Sequence, residues 1–378
     1  MKMRLPKNGE SGAALIMTLI LLALGALLMI PTLTLTSTSL EYHQVVEKNT
    51  LETYAADSGV QYALCRLANN PEEFGPEPLS SEVNDRTVIV AVEYYVNNVY
   101  KITSTAMTDS ASSTTIQSYV SITAGLFDYG MAATDGNISI SGNAEVISSP
   151  DLFEGDIYAN GDINLSGNAE VCGDATATGQ IDLSSNASVT GEPEEQLDPP
   201  LVFAEMDTSI YLDEANQGTL IEGDLNIGGD DYYDLGPAHI TGNLAISDNA
   251  IVRLTGTVWI DGTITMSGNS RIEGAETIVA GGDIQVTGNT KLDADNIPLI
   301  ISTDGNITVT GSGWVSAILY APNGDITLSG NSMVSGAVVG QNIYAEGNNT
   351  LEYLVELKSR SDLPGAGGMN ILSYTIQG

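Results

Sequence analysis

An eleven-residue pattern that recurs from residue 136 onward limits the fold of this chain more than any other feature. Each copy reads Gly, x, apolar, x, apolar, Ser or Thr, Gly, Asn, a small residue, x, apolar, and a shorter copy begins at Gly223. The copies start 25, 18, 44, 19, 20, 20, 23 and 19 residues apart. A period near twenty is typical of a solenoid in which each copy supplies one turn. The full copies are GNISISGNAEV (136–146), GDINLSGNAEV (161–171), GQIDLSSNASV (179–189), GNLAISDNAIV (242–252), GTITMSGNSRI (262–272), GDIQVTGNTKL (282–292), GNITVTGSGWV (305–315) and GDITLSGNSMV (324–334).

Within each copy, apolar residues two apart face the same side of a strand, and Ser-Gly-Asn supplies the backbone angles of a tight corner. The pattern therefore predicts a right-handed parallel β-helix over residues 128–350. With turns about 4.8 Å apart, about nine turns give a rod of roughly 43 Å. The corner asparagines should stack as an inward-facing ladder that satisfies buried polar groups, with Ser312 capping or interrupting it. They are Asn143, Asn168, Asn186, Asn249, Asn269, Asn289 and Asn331.

Two segments break the period. Residues 191–220 carry a Pro pair and several charges, which indicates an insertion with a short helix near 201–216. Because insertions in solenoids project from one face, this one is a candidate for recognising a partner. Residues 351–378 lose the pattern, and we expect them to form a C-terminal cap over an open sheet edge.

The amino-terminal region predicts a single membrane span. No charged residue occurs from Ala13 to Leu40, and the apolar core at 13–30 would form about 27 Å of helix, close to the thickness of a bilayer core. Basic residues precede the run and glutamates follow it, which favours an N-in, C-out topology with the bulk of the chain outside the cytoplasmic membrane. A cleaved secretory signal is disfavoured, because the run is longer than a usual signal and Glu10 stands just ahead of it.

The same helix is predicted to continue to residue 70, so that 13–70 form one transmembrane and assembly helix ended by NNPEEFGPEP. One face of its second half is apolar, formed by Ala56, Val60, Ala63, Leu64 and Leu67. Alternating residues and polar turns over 86–125 then indicate a three-stranded antiparallel meander. We expect this small sheet, within a domain at 71–127, to cover that apolar face.

These amino-terminal residues are similar to the corresponding region of PilX-type minor pilins of type IV pili. The resemblance covers about residues 7–70 and is carried by the basic leader ending in Gly12, the run AALIMTLILLALGALLMIP, and YAADSGVQYAL at 54–64. It implies a leader peptide at 1–12, cut between Gly12 and Ala13 by a prepilin peptidase, and partners that are other pilin or pseudopilin subunits. Most pilins have Glu as the fifth mature residue; Met17 stands there, which fits a minor subunit.

Composition restricts the partners. Lys and Arg number 12 against 48 Asp and Glu, a formal charge of -36. Such a surface repels phosphate backbones, so nucleic acid is not a predicted partner. We expect Cys65 and Cys172 to act as ordinary small apolar residues.

Chemistry is not indicated by any motif, and no catalytic residue, metal site or cofactor is predicted. His43 and His239 lack the spacing of a triad or a zinc site. A weak calcium contact remains an alternative at the cluster of Asp230, Asp231 and Asp234, although the 12-residue calcium-binding loop is missing.

Three functions therefore remain. The first is a non-enzymatic, minor-pilin-like or pseudopilin-like subunit that displays the rod for assembly or adhesion. The second is a membrane-anchored β-helix enzyme acting on polysaccharide, since some glycan-active enzymes use this fold. The third is a polymerising scaffold, because the repeats resemble those of bactofilins. The outward-directed rod and the scarcity of basic residues favour the first.

Overall fold

The computed structural model describes residues 11–69, 79–96, 98–107, 113–151, 153–293, 297–360 and 363–377. Most of the predicted leader therefore lies outside the described residues. The chain divides into two compact units. The N-terminal unit contains residues through Tyr95, Val99–Val120 and the residues from Ile371 on. The rod unit contains Val96–Asn98 and Ser121–Asn370.

The described residues form two α-helices and 36 β-strands. The helices are α1 (Ser11–Asn69) and α2 (Ser209–Asn216), and a 3₁₀ turn spans Val355–Ser359. The strands before the rod are β1 (Leu79–Val83), β2 (Arg86–Val96), β3 (Val99–Met107) and β4 (Ser113–Thr123). The rod strands are β5 (Met131–Ala133), β6 (Ile138–Gly142), β7 (Glu145–Ser149), β8 (Ile157–Ala159), β9 (Ile163–Leu165), β10 (Glu170–Val171), β11 (Ala175–Ala177), β12 (Ile181–Leu183), β13 (Ser188–Val189), β14 (Pro193–Glu194), β15 (Thr219–Ile221), β16 (Leu225–Ile227), β17 (Tyr232–Leu235), β18 (Ala238–Ile240), β19 (Leu244–Ile246), β20 (Ile251–Leu254), β21 (Val258–Ile260), β22 (Ile264–Met266), β23 (Arg271–Glu273), β24 (Ile278–Ala280), β25 (Ile284–Val286), β26 (Lys291–Asp293), β27 (Leu299–Ser302), β28 (Ile307–Gly311), β29 (Trp314–Ser316), β30 (Ile318–Ala321), β31 (Ile326–Gly330), β32 (Met333–Gly336), β33 (Val338–Gly340), β34 (Ile343–Gly347) and β35 (Thr350–Leu354). The last strand is β36 (Gly368–Gln377).

In the N-terminal unit, the second half of α1 packs on a five-stranded sheet of order β1-β2-β3-β4-β36. The predicted apolar face of the helix is buried, except that Leu64 is only half-buried and Ala55 joins it. Gly59 allows the close approach, because a Cβ there would lie 2.8 Å from Val88 Cγ1. The central strands bury alternate residues, as expected for a sheet with one covered face.

The carboxyl end differs from the prediction. Instead of capping the solenoid, β36 runs antiparallel to β4, with Thr123 Oγ1 donating to Gly368 O (3.2 Å) and Ser118 Oγ to Ser373 O (3.1 Å). The preceding strand β35 is itself a rod strand. The predicted 351–378 cap is therefore wrong, because these residues supply the end of the last turn and then an edge strand that the small sheet can pair with.

The rod unit is a parallel β-solenoid of about ten turns, which confirms the predicted fold class. Its three sheets run along the rod axis, and alternate side chains from all three fill one interior core. Sheet A has the order β14-β11-β8-β5-β33-β30-β27-β24-β21-β18-β15, sheet B has β12-β9-β6-β34-β31-β28-β25-β22-β19-β16, and sheet C has β13-β10-β7-β35-β32-β29-β26-β23-β20-β17.

The order of turns does not follow the sequence. The chain enters the rod at β5, winds to one end at β14, crosses to the opposite end at β15, and winds back until β33, β34 and β35 pair with β5, β6 and β7. We call this junction the seam; it joins an N-terminal stack (131–194) to a C-terminal stack (219–354). The prediction that consecutive copies stack throughout was wrong between Asn186 and Asn249, and Asn331 reaches Asn143 through an extra turn at 341–351.

Residues 195–218, here called the strap, connect the two ends of the rod. The strap corresponds to the predicted insertion, but its helix α2 is shorter than expected. Instead of projecting, the strap packs on the outer side of sheet A, where Tyr211 and Phe203 join buried residues such as Val279, Ile301 and Tyr320. The sheet A strands β24, β27 and β30 are buried on both sides, so the outer side of this part of the sheet must be covered.

Candidate functional site

The corner asparagines form a ladder on the outside of the rod. Asn168 Nδ2 donates to Asn143 Oδ1 (2.7 Å), and Asn186 Nδ2 donates to Asn168 Oδ1 (2.9 Å). Through Asn348 the ladder continues from Asn143 to Asn331 (2.7 and 2.9 Å). A second segment links Asn289, Asn269, Asn249 and Asp230 (2.9 to 3.2 Å), and Ser312 stands between the two segments.

The predicted inward orientation of this ladder was wrong. The asparagine side chains are exposed, and the residue that follows each of them, such as Ala144, Ala169 or Ala250, points into the core. The corner backbone groups bond to the backbone of the next turn, as Asn168 N does to Gly142 O (2.6 Å). The side-chain amides therefore bond to one another along the axis and leave one edge open to solvent.

A second ladder, absent from the sequence analysis, lies at the corner before sheet B. Here a side-chain oxygen in one turn accepts a hydrogen bond from a backbone N–H in the next, at 2.7 to 2.9 Å. The acceptors are Asn342, Asn137, Asp162, Asp224, Asn243, Asp283 and Asn306. Three of them are carboxylates, so part of the acidic character of the rod is structural. In the sequence, this second ladder is indicated by the Asn or Asp that follows the leading glycine in most copies.

The middle residue of each Ser-Gly-Asn corner has a positive φ, and substitutions at this position test whether these residues form the corners. Ser185 has φ +64° where most turns have glycine, so Ser185→Gly should raise the free energy of unfolding by about 1 kcal/mol. Gly167→Ala should lower it, because a Cβ there would lie 2.6 Å from Gly142 O at φ +76°. Denaturant unfolding measures both changes; shifts of the same sign would contradict the assignment.

Two polar residues singled out in the sequence, His239 and Asp230, take part in hydrogen bonds between elements of the rod. His239 lies between Asn216 Oδ1 (2.8 Å from Nδ1) and Asp261 Oδ1 (2.9 Å from Nε2), which ties the end of the strap helix to sheet A. Asp230 accepts from Asn249 at the end of the ladder. Within the described part of the chain, no three His, Cys, Asp or Glu residues are grouped so as to hold a metal ion.

The strap and sheet A enclose aromatic residues whose environment alters their titration. Burial raises the pKa of Tyr158 and of Tyr320 to about 12, and Glu205 adds to the effect at Tyr320. The rings of Tyr158 and Phe203 are 5.3 Å apart, and Leu201 N donates to the Tyr158 hydroxyl (2.8 Å). The packed strap therefore favours neutral phenols.

This environment predicts a loss of stability at alkaline pH. Because the pKa of Tyr320 is higher in the folded chain than in the unfolded chain, its contribution is complete below pH about 10 and is lost as the pH rises through about 12. Tyr320→Phe should flatten this fall, whereas Tyr344→Phe, on the outside of sheet B, should leave it unchanged. Thermal melting across this pH range measures the difference; equal curves for all three chains would contradict it.

The first half of α1 exposes its apolar side chains. From Leu15 to Leu40, the large apolar side chains that the structure describes are exposed, and the mean hydropathy reaches 2.5. Threonine hydroxyls in this region donate to carbonyls three or four residues back, as Thr36 Oγ1 does to Thr32 O (2.7 Å). The helix is thus long and apolar enough to cross a bilayer with its threonine hydroxyls satisfied internally. Gly12 and Ala13 lie in its first turn.

Basic residues, scattered in the sequence, are brought together on sheet C. Arg271 and Lys291 are register partners on adjacent strands, and Arg253 lies on the strand next to Arg271. Trp314 is the next residue after Lys291 in register and is half exposed. The spacings of 18 and 20 residues between these three cations, close to one turn, were the signal in the sequence. Only the outward face of sheet C makes them neighbours.

The geometry defines a β-solenoid protein with an apolar N-terminal helix and a small sheet. A family described as a domain of unknown function (DUF7305) matches residues 195–360, from the strap through the C-terminal stack. No curated protein matches the chain. The competence-associated pilin ComZ from Thermus thermophilus is similar at 9% identity and a TM-score of 0.33, over 87% of this chain and 97% of that one. An ice-binding protein from the Antarctic ascomycete Antarctomyces psychrotrophicus is similar at 13% identity and a TM-score of 0.25, over 60% and 95%.

Proposed function

We propose that this chain is a non-enzymatic, minor-pilin-like or pseudopilin-like subunit of a type IV pilus or a related secretion filament. The α1 helix anchors it in the cytoplasmic membrane, and the rod is displayed outside for assembly or adhesion. The supporting observation is α1 itself, which is one continuous helix with an exposed apolar first half and a second half packed on the small sheet.

Such a helix suits transfer from lipid into a filament. A stretch that is apolar on all sides meets hydrocarbon-like surroundings in a bilayer and in a bundle of similar helices, so no charge is exposed by the change. Gly25 has open space around it, which leaves room for a neighbouring helix. The partners in this proposal are other pilin or pseudopilin subunits and the prepilin peptidase.

The geometry gives less support to the other two functions, a glycan-active enzyme and a polymerising scaffold. A glycan-active enzyme needs carboxylates poised in a cleft, whereas several rod carboxylates accept backbone hydrogen bonds at a corner. A scaffold that polymerises end to end must join the β12–β14 turn to the β15–β17 turn. Both turns expose carboxylates, Asp182 and Glu194 at one end and Asp231 and Asp234 at the other, and like charges disfavour that contact.

Processing by a prepilin peptidase tests the proposal. The full chain is co-expressed in membranes with a prepilin peptidase, and the mature amino terminus is sequenced. We expect it to begin at Ala13, and we expect Gly12→Asp to remain uncut while Ser11→Ala is still cut. No processing, or a different terminus, would overturn the pilin-like assignment.

A further inference from the structure

Sheet C presents two outward columns of side chains along the rod, on either side of inward residues such as Val252, Ile272 and Val334 that are buried. One of them contains Asp234, Arg253, Glu273 and Glu352, and the other is the column considered below. The strand registers connect this column from one end to the other. In spatial order its residues are Tyr232, Ile251, Arg271, Lys291, Trp314, Met333, Thr350, Glu145, Glu170 and Ser188.

In this column, residues of like charge are neighbours. Arg271 lies directly beside Lys291, and Glu145 lies directly beside Glu170, on strands about 4.8 Å apart. Like charges directly opposite each other in a sheet are destabilising. The carboxylate pair acts on its surroundings, since the pKa of the Cys172 thiol is raised by burial first and then by Glu170 and Glu145. Arg271 is partly offset by Glu273 (Nε to Oε1, 3.3 Å) on its own strand.

Charged residues at equal distances on the two sides of Met333 have opposite signs. Trp314 and Thr350 are one turn from Met333 on opposite sides, and Lys291 and Glu145 are two turns away. Arg271 and Glu170 are three turns away. A two-fold axis that passes through Met333 along the strand direction would superpose each cation on a carboxylate of a second rod.

We propose that sheet C is a self-complementary interface through which two copies of this chain pair as antiparallel rods. In this pair Arg271 faces Glu170 of the second copy, Lys291 faces Glu145, and Trp314 packs beside Met333 and Thr350. Each ion pair occurs twice, because a two-fold interface uses the same surface on both copies. Each like-charge pair thereby gains an opposite charge.

A second copy is the occupant that charge favours. A chain with a net charge of -36 repels its copies over most of its surface, whereas this column carries two cations and two carboxylates and sums to zero. The neighbouring outward column is more acidic, with Arg253 against Asp234, Glu273 and Glu352, and Glu273 is already paired with Arg271 of the same copy. The column from Arg271 to Glu170 spans about six turn spacings, or roughly 29 Å along the rod, and each strand that carries it is about 10 Å long. That strip is well below the ~800 Å² per partner of a standard interface, so the pair should be weak and concentration-dependent. Copies confined to one membrane or filament would be at high effective concentration.

Charge reversal gives the main test, with the full chain in detergent micelles and association followed by sedimentation velocity. Variant one carries Arg271→Glu and Lys291→Glu, and variant two carries Glu145→Lys and Glu170→Lys. Each alone should associate at least about tenfold more weakly than the unaltered chain, because like charges then face each other. A mixture of the two should recover association, because each of its four facing pairs is again of opposite sign. Association through α1 is common to all samples and cancels in the comparison.

A cysteine at the symmetry axis gives the second test. In a Cys65→Ser background, Met333→Cys should form a disulfide-linked dimer on mild oxidation, while Thr327→Cys, on sheet B of the same turn, should not. Equal association of both reversal variants and the unaltered chain would overturn the proposal, as would a mixture that stays as weak as its components. Equal cross-linking at positions 327 and 333 would do the same. None of these results depends on whether the chain is processed as a pilin.

Discussion

Ile343→Asp should detach the N-terminal stack from the rest of the rod. Ile343 is fully buried in β34 and lies in register between Ile326 and Ile138, so it contributes to both sides of the seam. A carboxylate at this position would lose the apolar packing and place a charge in the core, which should cost at least about 4 kcal/mol. Natural domains have only ~5–15 kcal/mol of stability in total. We expect the strap to become sensitive to limited proteolysis and the melting temperature to fall.

Tyr344→Asp is the matched control for this substitution. Tyr344 is the next residue in β34 and faces outward, so the same charge is added to the same turn without entering the core. Little change is expected in its melting temperature or its cleavage pattern. If both variants are equally stable, the seam is not held by the core contacts of β34.

Leu21→Asp combined with Leu24→Asp should remove the chain from the membrane fraction. Both leucines lie in the exposed apolar half of α1, near the middle of the uncharged run. An aspartate near the centre of a membrane-spanning helix costs about 2.5 to 3.5 kcal/mol on insertion scales, so the pair should cost roughly 5 to 7 kcal/mol. Fractionation of cells that express the full chain, with extraction by alkaline carbonate, measures the loss.

Thr36→Asp combined with Ser39→Asp controls for charge and spacing. These residues lie at the end of the run, where the helix is expected to leave the hydrocarbon, so the variant should remain in the membrane fraction. Retention of the Leu21 and Leu24 variant in the carbonate-resistant fraction would mean that α1 is not the anchor.

Much of the architecture could be predicted because it depends on local periodicity. The alternation within each copy indicated short strands, and the Ser-Gly-Asn sequence indicated a tight corner. The long helix was indicated by its composition and by the absence of Pro between Pro31 and Pro71. These features are set by residues within one or two turns of each other, where sequence spacing and spatial spacing agree.

The order of the turns could not be predicted in the same way. Each copy offers nearly the same edge to a neighbour, so the sequence does not say whether Ile138 pairs with Ile163 alone or also with Ile343. Two signals were nevertheless present. The strap is long enough to travel the rod, and strands such as Ile278–Ala280 and Ile318–Ala321 are apolar throughout, which indicates cover on both sides of sheet A. The turn at 341–351 was missed because Asn342 is preceded by Gln rather than Gly.

The outward direction of the asparagines was also mispredicted, for a reason visible at each corner. Asn143 and its equivalents follow the positive-φ residue, and the chain turns there so that the next residue, such as Ala144, enters the core. Predicting the side chain's direction would have required the corner geometry, which depends on how three strands close around one core.

Because of the seam, the rod is an insertion whose two ends lie close together in the fold. Because the chain enters and leaves the solenoid through turns that pair with each other, the two ends of the rod unit are adjacent, with Leu126 N donating to Gly365 O (2.9 Å). On either side of this junction, β4 and β36 are neighbours in one sheet. In the sequence, the whole solenoid is inserted between β4 and β36, where a hairpin loop could connect these two neighbouring strands. Exchange or loss of the rod by recombination would therefore leave the small helix-and-sheet protein with every one of its own strands intact.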